Sequence, residues 1–160
     1  ERSRGPQRAV RMSGLVPTGW LQALKWVHLL TTLGMFVVIW DVQLRRYPAF
    51  RSVIEDDFPA FHAQHTVSIS LIVVPLMLGE LASAAALVLL PEVTAFSNLQ
   101  RWTGLALVLL AWASTFFIQV PIHNRLAQGY DLTLIDRLIA TNWIRTVLWS
   151  LRAALVLTSR

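Results

Sequence analysis

The stretch LIATNWIRTVLWSLRAALVLTSR, residues 138–160, decides how this chain is read. As an α-helix rising about 1.5 Å per residue, it is long enough to cross a hydrocarbon core of about 30 Å. Yet it carries two arginines, Arg145 and Arg152, in its interior. Asn142, Arg145, Trp149 and Arg152 are spaced i, i+3, i+7, i+10, so they share one helical face. A guanidinium facing lipid at membrane depth costs several kcal/mol, and this face is therefore expected to look inward, at protein, water or a ligand. A polar stripe turned inward needs other helices to cover it.

The rest of the chain supplies them. Its 160 residues are 55% hydrophobic and only 14% charged, where a soluble domain would show about 25% charged residues. Mean hydropathy is +0.54. Apolar runs cover residues 15–40, 66–90, 102–120 and 138–158, each too long for a barrel strand of about 10 alternating residues. The expected fold is all-α, an integral membrane up-down bundle of four transmembrane helices. Residues 1–14 form a basic, flexible leader and residues 15–160 the transmembrane domain.

The absence of cysteine excludes disulfides, thiolate catalysis and cysteine-ligated metal clusters. The net charge of +5 is almost wholly arginine, Lys25 being the only lysine. In a membrane chain this balance points to anionic lipid headgroups rather than nucleic acid. No GxGxxG, GxxxxGK[ST] or GxSxG pattern occurs, so nucleotide, phosphate-loop and serine-nucleophile readings fail.

The first run is longer than the apolar core of a cleaved signal peptide, and no small-x-small site comes after it. Met12 is an alternative translation start. Arg2, Arg4, Arg8 and Arg11 precede the first helix. Under the positive-inside rule both termini are expected on the cytoplasmic side of a bacterial inner membrane. Residues 48–61 read as a small interfacial element, with Pro59 separating it from the second helix. Pro121 and Gly129 bracket a turn, and Asp131 is an N-cap for the last helix.

Each run owns a polar stripe. His28 in the first, Glu80 in the second and Arg152 in the fourth all lie roughly 12–15 Å from the cytoplasmic ends. Carboxylate and guanidinium at matching depth offset one another's burial, so Glu80–Arg152 is the expected structural ion pair, with His28 as a third member. Nearer the outer face, His62, His65 and His123 are candidate ligands for a metal ion, or for haem or chlorin; interfacial hydrogen bonding is the other role open to them. Asn142, Arg145, Trp149, Gln119 and Trp143 are the candidate lining of a polar pocket. Trp20, Trp40 and Trp102 fit interfacial anchors.

The segments VQLRRYPAF, FHAQHTVSISLIVVPLMLGELASA, QVPIHNRL and TNWIRTVLWSLRAAL resemble small bacterial four-helix membrane proteins. They are similar to the anthrone-oxygenase-like membrane family, which shows a P-x-N-type turn after the third helix and a W…R fourth helix. Here that turn reads PIHN. The likeness implies interest in His65, Glu80, Pro121, Asn124, Asn142, Trp143, Arg145 and Arg152. LKWVHLLTTLG in the first run is also similar to haem-binding small membrane oxidases.

Two classes of function are expected. The leading one is a non-catalytic structural or accessory subunit, free-standing or packed among other membrane-protein subunits of a respiratory or photosynthetic complex. The other is a small membrane oxidoreductase or oxygenase acting on a hydrophobic aromatic or quinone-like substrate between the second, third and fourth helices. There Arg145 would hold an anionic oxygen, and His65 or His123 would move a proton. A haem- or pigment-binding subunit is a third reading. No cofactor is singled out.

Overall fold

The computed structural model describes residues 18–91 and 96–158. The leader, its arginines and Met12 lie outside the described residues. Every regular element described is helical. Four long helices dominate: α1 (Thr18–Asp41), α2 (Phe58–Leu89), α3 (Asn98–Ser114) and α4 (Leu132–Leu157). Each packs against its sequence neighbours, and α4 closes on α1, giving a four-cornered bundle.

Two of these rods run on past their α-helical ends. After Asp41 the chain makes a wide π turn (Val42–Arg46), one α-turn (Tyr47–Ala49) and a 3-10 turn (Phe50–Ser52). After Ser114 it makes a second π turn (Thr115–Gln119) and a short α-helix (Val120–Leu126). In both places a proline, Pro48 or Pro121, stands two residues beyond the π turn. Proline cannot donate to the carbonyl four residues back and its ring crowds it, so the widened turn relieves both conflicts. Pro121 therefore continues the helix instead of opening the turn. The turn lies further on, where Gly129 takes φ 154°, a backbone angle that side chains with a Cβ rarely adopt.

Helix boundaries reflect local chemistry. The second helix starts at Phe58, eight residues before the apolar run, because Pro59 sits in its first turn, where the missing N–H costs nothing. Pro59 thus begins α2 and does not separate it from a preceding element. Ser97 and Gln100 form a reciprocal capping box at the start of α3. Asp131 accepts from the Leu134 amide, 3.0 Å, and caps α4. Arg51 bridges to Asp136 at 2.7 Å and tethers the 3-10 turn to α4; both side chains are half-exposed, so this bond contributes little stability.

Polarity is distributed inside-out. Glu80, Asn142, Thr32 and Arg152 are buried, while Leu71 (74% exposed) and Phe117 (81%) point outward. Three of the described helical rods are long and apolar enough to cross a membrane: Gly19–Ser52, Glu55–Leu89 and Asn98–Leu126. The fourth expected span is not among them. Helix α4 has the length, but Asn142, Arg145 and Arg152 lower its mean apolarity while occupying its inward face.

Candidate functional site

Two clusters of ionisable side chains lie inside the bundle among the described residues. In the first, Arg152 Nε donates to Glu80 Oε1 at 3.1 Å, and Thr32 donates to the same oxygen at 3.0 Å. Arg152 also donates to His28 Nε2 at 3.1 Å. That assigns the acceptor nitrogen of His28, so its Nδ1–H donates to Ser83 Oγ, 2.9 Å away. Ser83 in turn donates to the Glu80 carbonyl. The guanidinium also lies against the backbone of Gly104 on α3, where a Cβ would overlap Arg152 Nη1. One arginine thus touches all four helices. The cluster pairs one carboxylate with one guanidinium, so it needs no outside counter-charge.

The second cluster gathers the other histidines. His62 Nε2 and His123 Nδ1 are 2.9 Å apart, and His123 Nε2 and the Tyr47 hydroxyl 3.0 Å. His65 stacks on His123 with ring centroids 6.3 Å apart, and Phe50 meets His65 edge-on at 4.8 Å. His62 and His123 point their nitrogens at each other, not at a shared centre. Among the described residues no group of three or more His, Asp or Glu side chains is placed to hold a metal ion. Among the described residues His65 Nε2 has no hydrogen-bond partner, and His65 lines a polar depression with Arg45, Arg46, Gln64 and Ser68.

Beside this cluster lies a chamber of about 310 Å³. Met35, Ile39, Ile69, Val73, Met77 and Trp112 make its apolar body. Tyr47, His123, Asn124, Gln119 and Arg145 gather polar groups along it. Thr66 and Ser70 on α2 are short enough to leave the space open. Val74, Phe116 and Val120 belong both to the chamber wall and to the outer surface, so the chamber opens sideways between α2 and α3.

Arg145 is the chamber's cation. Its Nε is buried without a partner, and among the described residues no carboxylate lies within ion-pair distance. The Tyr47 hydroxyl and His123 line the same chamber. A buried guanidinium with no counter-ion is costly unless something completes its bonding.

Of the candidate pocket lining, the structure brings Arg145 and Gln119 to the chamber and takes three residues elsewhere. Asn142 Nδ2 donates to Gln43 Oε1 at 2.8 Å, which engages the amide with the π turn after α1, and Asn142 does not line the chamber. Trp149 is buried in the apolar core with Met35, Ile39 and Val108. Trp143 is 43% exposed and packs edge-on against Trp40. The chamber also sits between α1, α2 and α3 instead of the second, third and fourth helices. The contact between α1 and α4 is filled by Gln43, Asn142 and Thr146, leaving Arg145 as the only α4 residue of the chamber.

Gln43 and Tyr47 escape a reading that ends the first helix at Trp40. Extended further, His28, Thr32, Met35, Ile39 and Gln43 form a helical stripe at i, i+4, i+7, i+11, i+15, a spacing legible in the sequence. Tyr47 had no such signal, because the π turn re-aims it. No family model matches this chain, and no curated protein or solved structure matches it.

Proposed function

We propose that this chain is a membrane protein of four spans, and that its chamber binds a small lipophilic molecule through an oxygen that accepts from Arg145. The supporting observation is the buried, carboxylate-free guanidinium of Arg145 at the polar end of an otherwise apolar chamber. Ligand sites generally combine a mostly apolar body of this size with a few convergent polar groups. The sideways opening suits a ligand that arrives from the lipid phase. An aromatic ketone, phenolate or quinone fits these demands, and the likeness to the anthrone-oxygenase-like family points to the same class.

Binding is tested by quenching of tryptophan fluorescence, since Trp112 lines the chamber. The probes are 1,4-naphthoquinone and its anionic 2-hydroxy derivative. Wild-type protein is expected to favour the anion, and Arg145→Gln to lose about tenfold in its affinity, the weight of one charge-assisted hydrogen bond. Naphthoquinone itself should lose less. Equal affinities for the anion in both proteins would remove Arg145 from the site.

The fourth span and its orientation form part of this reading. Because the chain has no native cysteine, single cysteines report cleanly. Gln128→Cys should react with an impermeant maleimide from outside intact cells, and Thr158→Cys only after the cytoplasmic membrane is opened. Reaction of both from the same side would mean that α4 does not cross.

A catalytic reading has its own support in the hydrogen-bonded line His62–His123–Tyr47. His123 reaches the chamber while His62 orients it, the relation of a general base to its positioning partner. The accessory-subunit reading predicts instead stable co-purifying membrane proteins and no dependence on Arg145.

A further inference from the structure

We propose that the outward groove between α3 and α4 holds one anionic glycerophospholipid, its phosphate lying between Arg125 and Arg137. The proposal rests on the membrane reading but not on the chamber, which faces the opposite side of α3.

Arg125 stands near the end of the Val120–Leu126 helix and Arg137 on the second turn of α4. Both are exposed, and both line one depression of about 180 Å³ with Pro121, Ile122 and Leu134. Among the described residues neither guanidinium makes an ion pair or a side-chain hydrogen bond. Their situation differs from that of Arg45, Arg46, Arg51 and Arg152, each of which has a carboxylate. Asp136, next to Arg137 in sequence, is engaged by Arg51. Two uncompensated guanidinium groups thus border one small depression, and guanidinium forks match phosphate oxygens.

The depression does not end at the headgroup level. Phe117 and Ile118 line it and also line a second cleft of about 370 Å³, whose other walls include Leu110, Ala113, Ile144 and Leu148. Ala113 and Ser114 keep the floor of that cleft low. From Arg125 down to Leu110 the rod descends roughly 20 Å by its helical rise, close to one leaflet including its headgroups. A cationic mouth over an apolar furrow of one leaflet's depth matches a phosphate and an acyl chain in their covalent order. A second copy of the chain would bring the same two positive charges against these. An anionic lipid such as phosphatidylglycerol brings a net negative charge to the pair, whereas a zwitterionic lipid carries its own cation and brings none.

The test uses the full chain purified in mild detergent, with native mass spectrometry counting retained lipid. Dioleoyl-phosphatidylglycerol, dioleoyl-phosphatidylcholine and inorganic phosphate are offered at equal concentration. Wild-type protein should retain the anionic lipid roughly tenfold over the zwitterionic one. Arg125→Gln with Arg137→Gln should abolish that preference, and both side chains are exposed, so folding is spared. Ala113→Phe, which fills the furrow and leaves both arginines, should weaken lipid retention as well. Equal retention of the two lipids by wild-type protein would overturn the proposal, as would an undiminished preference in the double variant. Displacement of the lipid by inorganic phosphate alone would reassign the mouth to the free ion. A chain-to-chain dimer masking the groove would reassign it to self-association. Fractionation of the same chain with membranes reports separately on the membrane reading.

Discussion

Replacing Arg152 by glutamine is expected to lower stability in detergent by about 3 kcal/mol, among the largest effects of any single change in this chain. The carboxylate of Glu80 is fully buried, and its Oε2 has no hydrogen-bond partner among the described residues. Without Arg152, only the Thr32 hydroxyl and the surrounding dipoles remain to hold its charge. Protonation of Glu80 limits the loss, which is why the expected cost stays within a few kcal/mol. Glu80→Gln should cost a similar amount, for the stranded charge is then the guanidinium. The decisive measurement is the double variant. Two glutamines leave no charge in the cluster, so thermal unfolding should show the pair to be more stable than the worse single variant by at least about 1 kcal/mol. A double variant destabilised by the sum of the two single losses would mean that the two side chains act independently.

Gly104→Ala is expected to cost about 2 kcal/mol, although alanine is the better helix former. The added methyl would occupy the place of Arg152 Nη1, and the guanidinium cannot simply retreat. Glu80 and His28 hold it from the other side, so any retreat stretches those bonds. This cause is separable from a general intolerance of bulk. In the Arg152→Gln, Glu80→Gln background the obstruction is largely relieved, and Leu155 Cδ2 is 3.4 Å from the new methyl, a tolerable contact. Gly104→Ala should there become neutral, or stabilise by up to about 1 kcal/mol through helix propensity. An equal loss in both backgrounds would show that the glycine is needed for backbone packing rather than for the arginine.

The inner cluster was legible from the sequence because depth along a helix is a one-dimensional quantity. His28, Glu80 and Arg152 could be matched by counting residues from the helix ends, without knowing which helices touch. The chamber was only half legible. Arg145 could be singled out as an inward arginine without an acid at its depth, but its assignment to a pocket with Asn142 was a statement about rotation. Asn142 bonds Gln43, which lies just past the end of the first apolar run. That run stops where hydropathy falls, not where the helix stops. The helix continues through a π turn to Tyr47.

By itself, the sequence determined the helical class, the inward polar stripe on each helix and the layer in which each ionisable residue lies. These depend on composition and on period, and both are properties of one helix at a time. The tertiary structure alone decided that the chamber lies between α1, α2 and α3 and that Tyr47 meets His123. Each of the two π turns inserts a residue and rotates the helix beyond it by roughly 100°. Which side chains face one another beyond such a turn depends on the neighbouring helix against which it is packed.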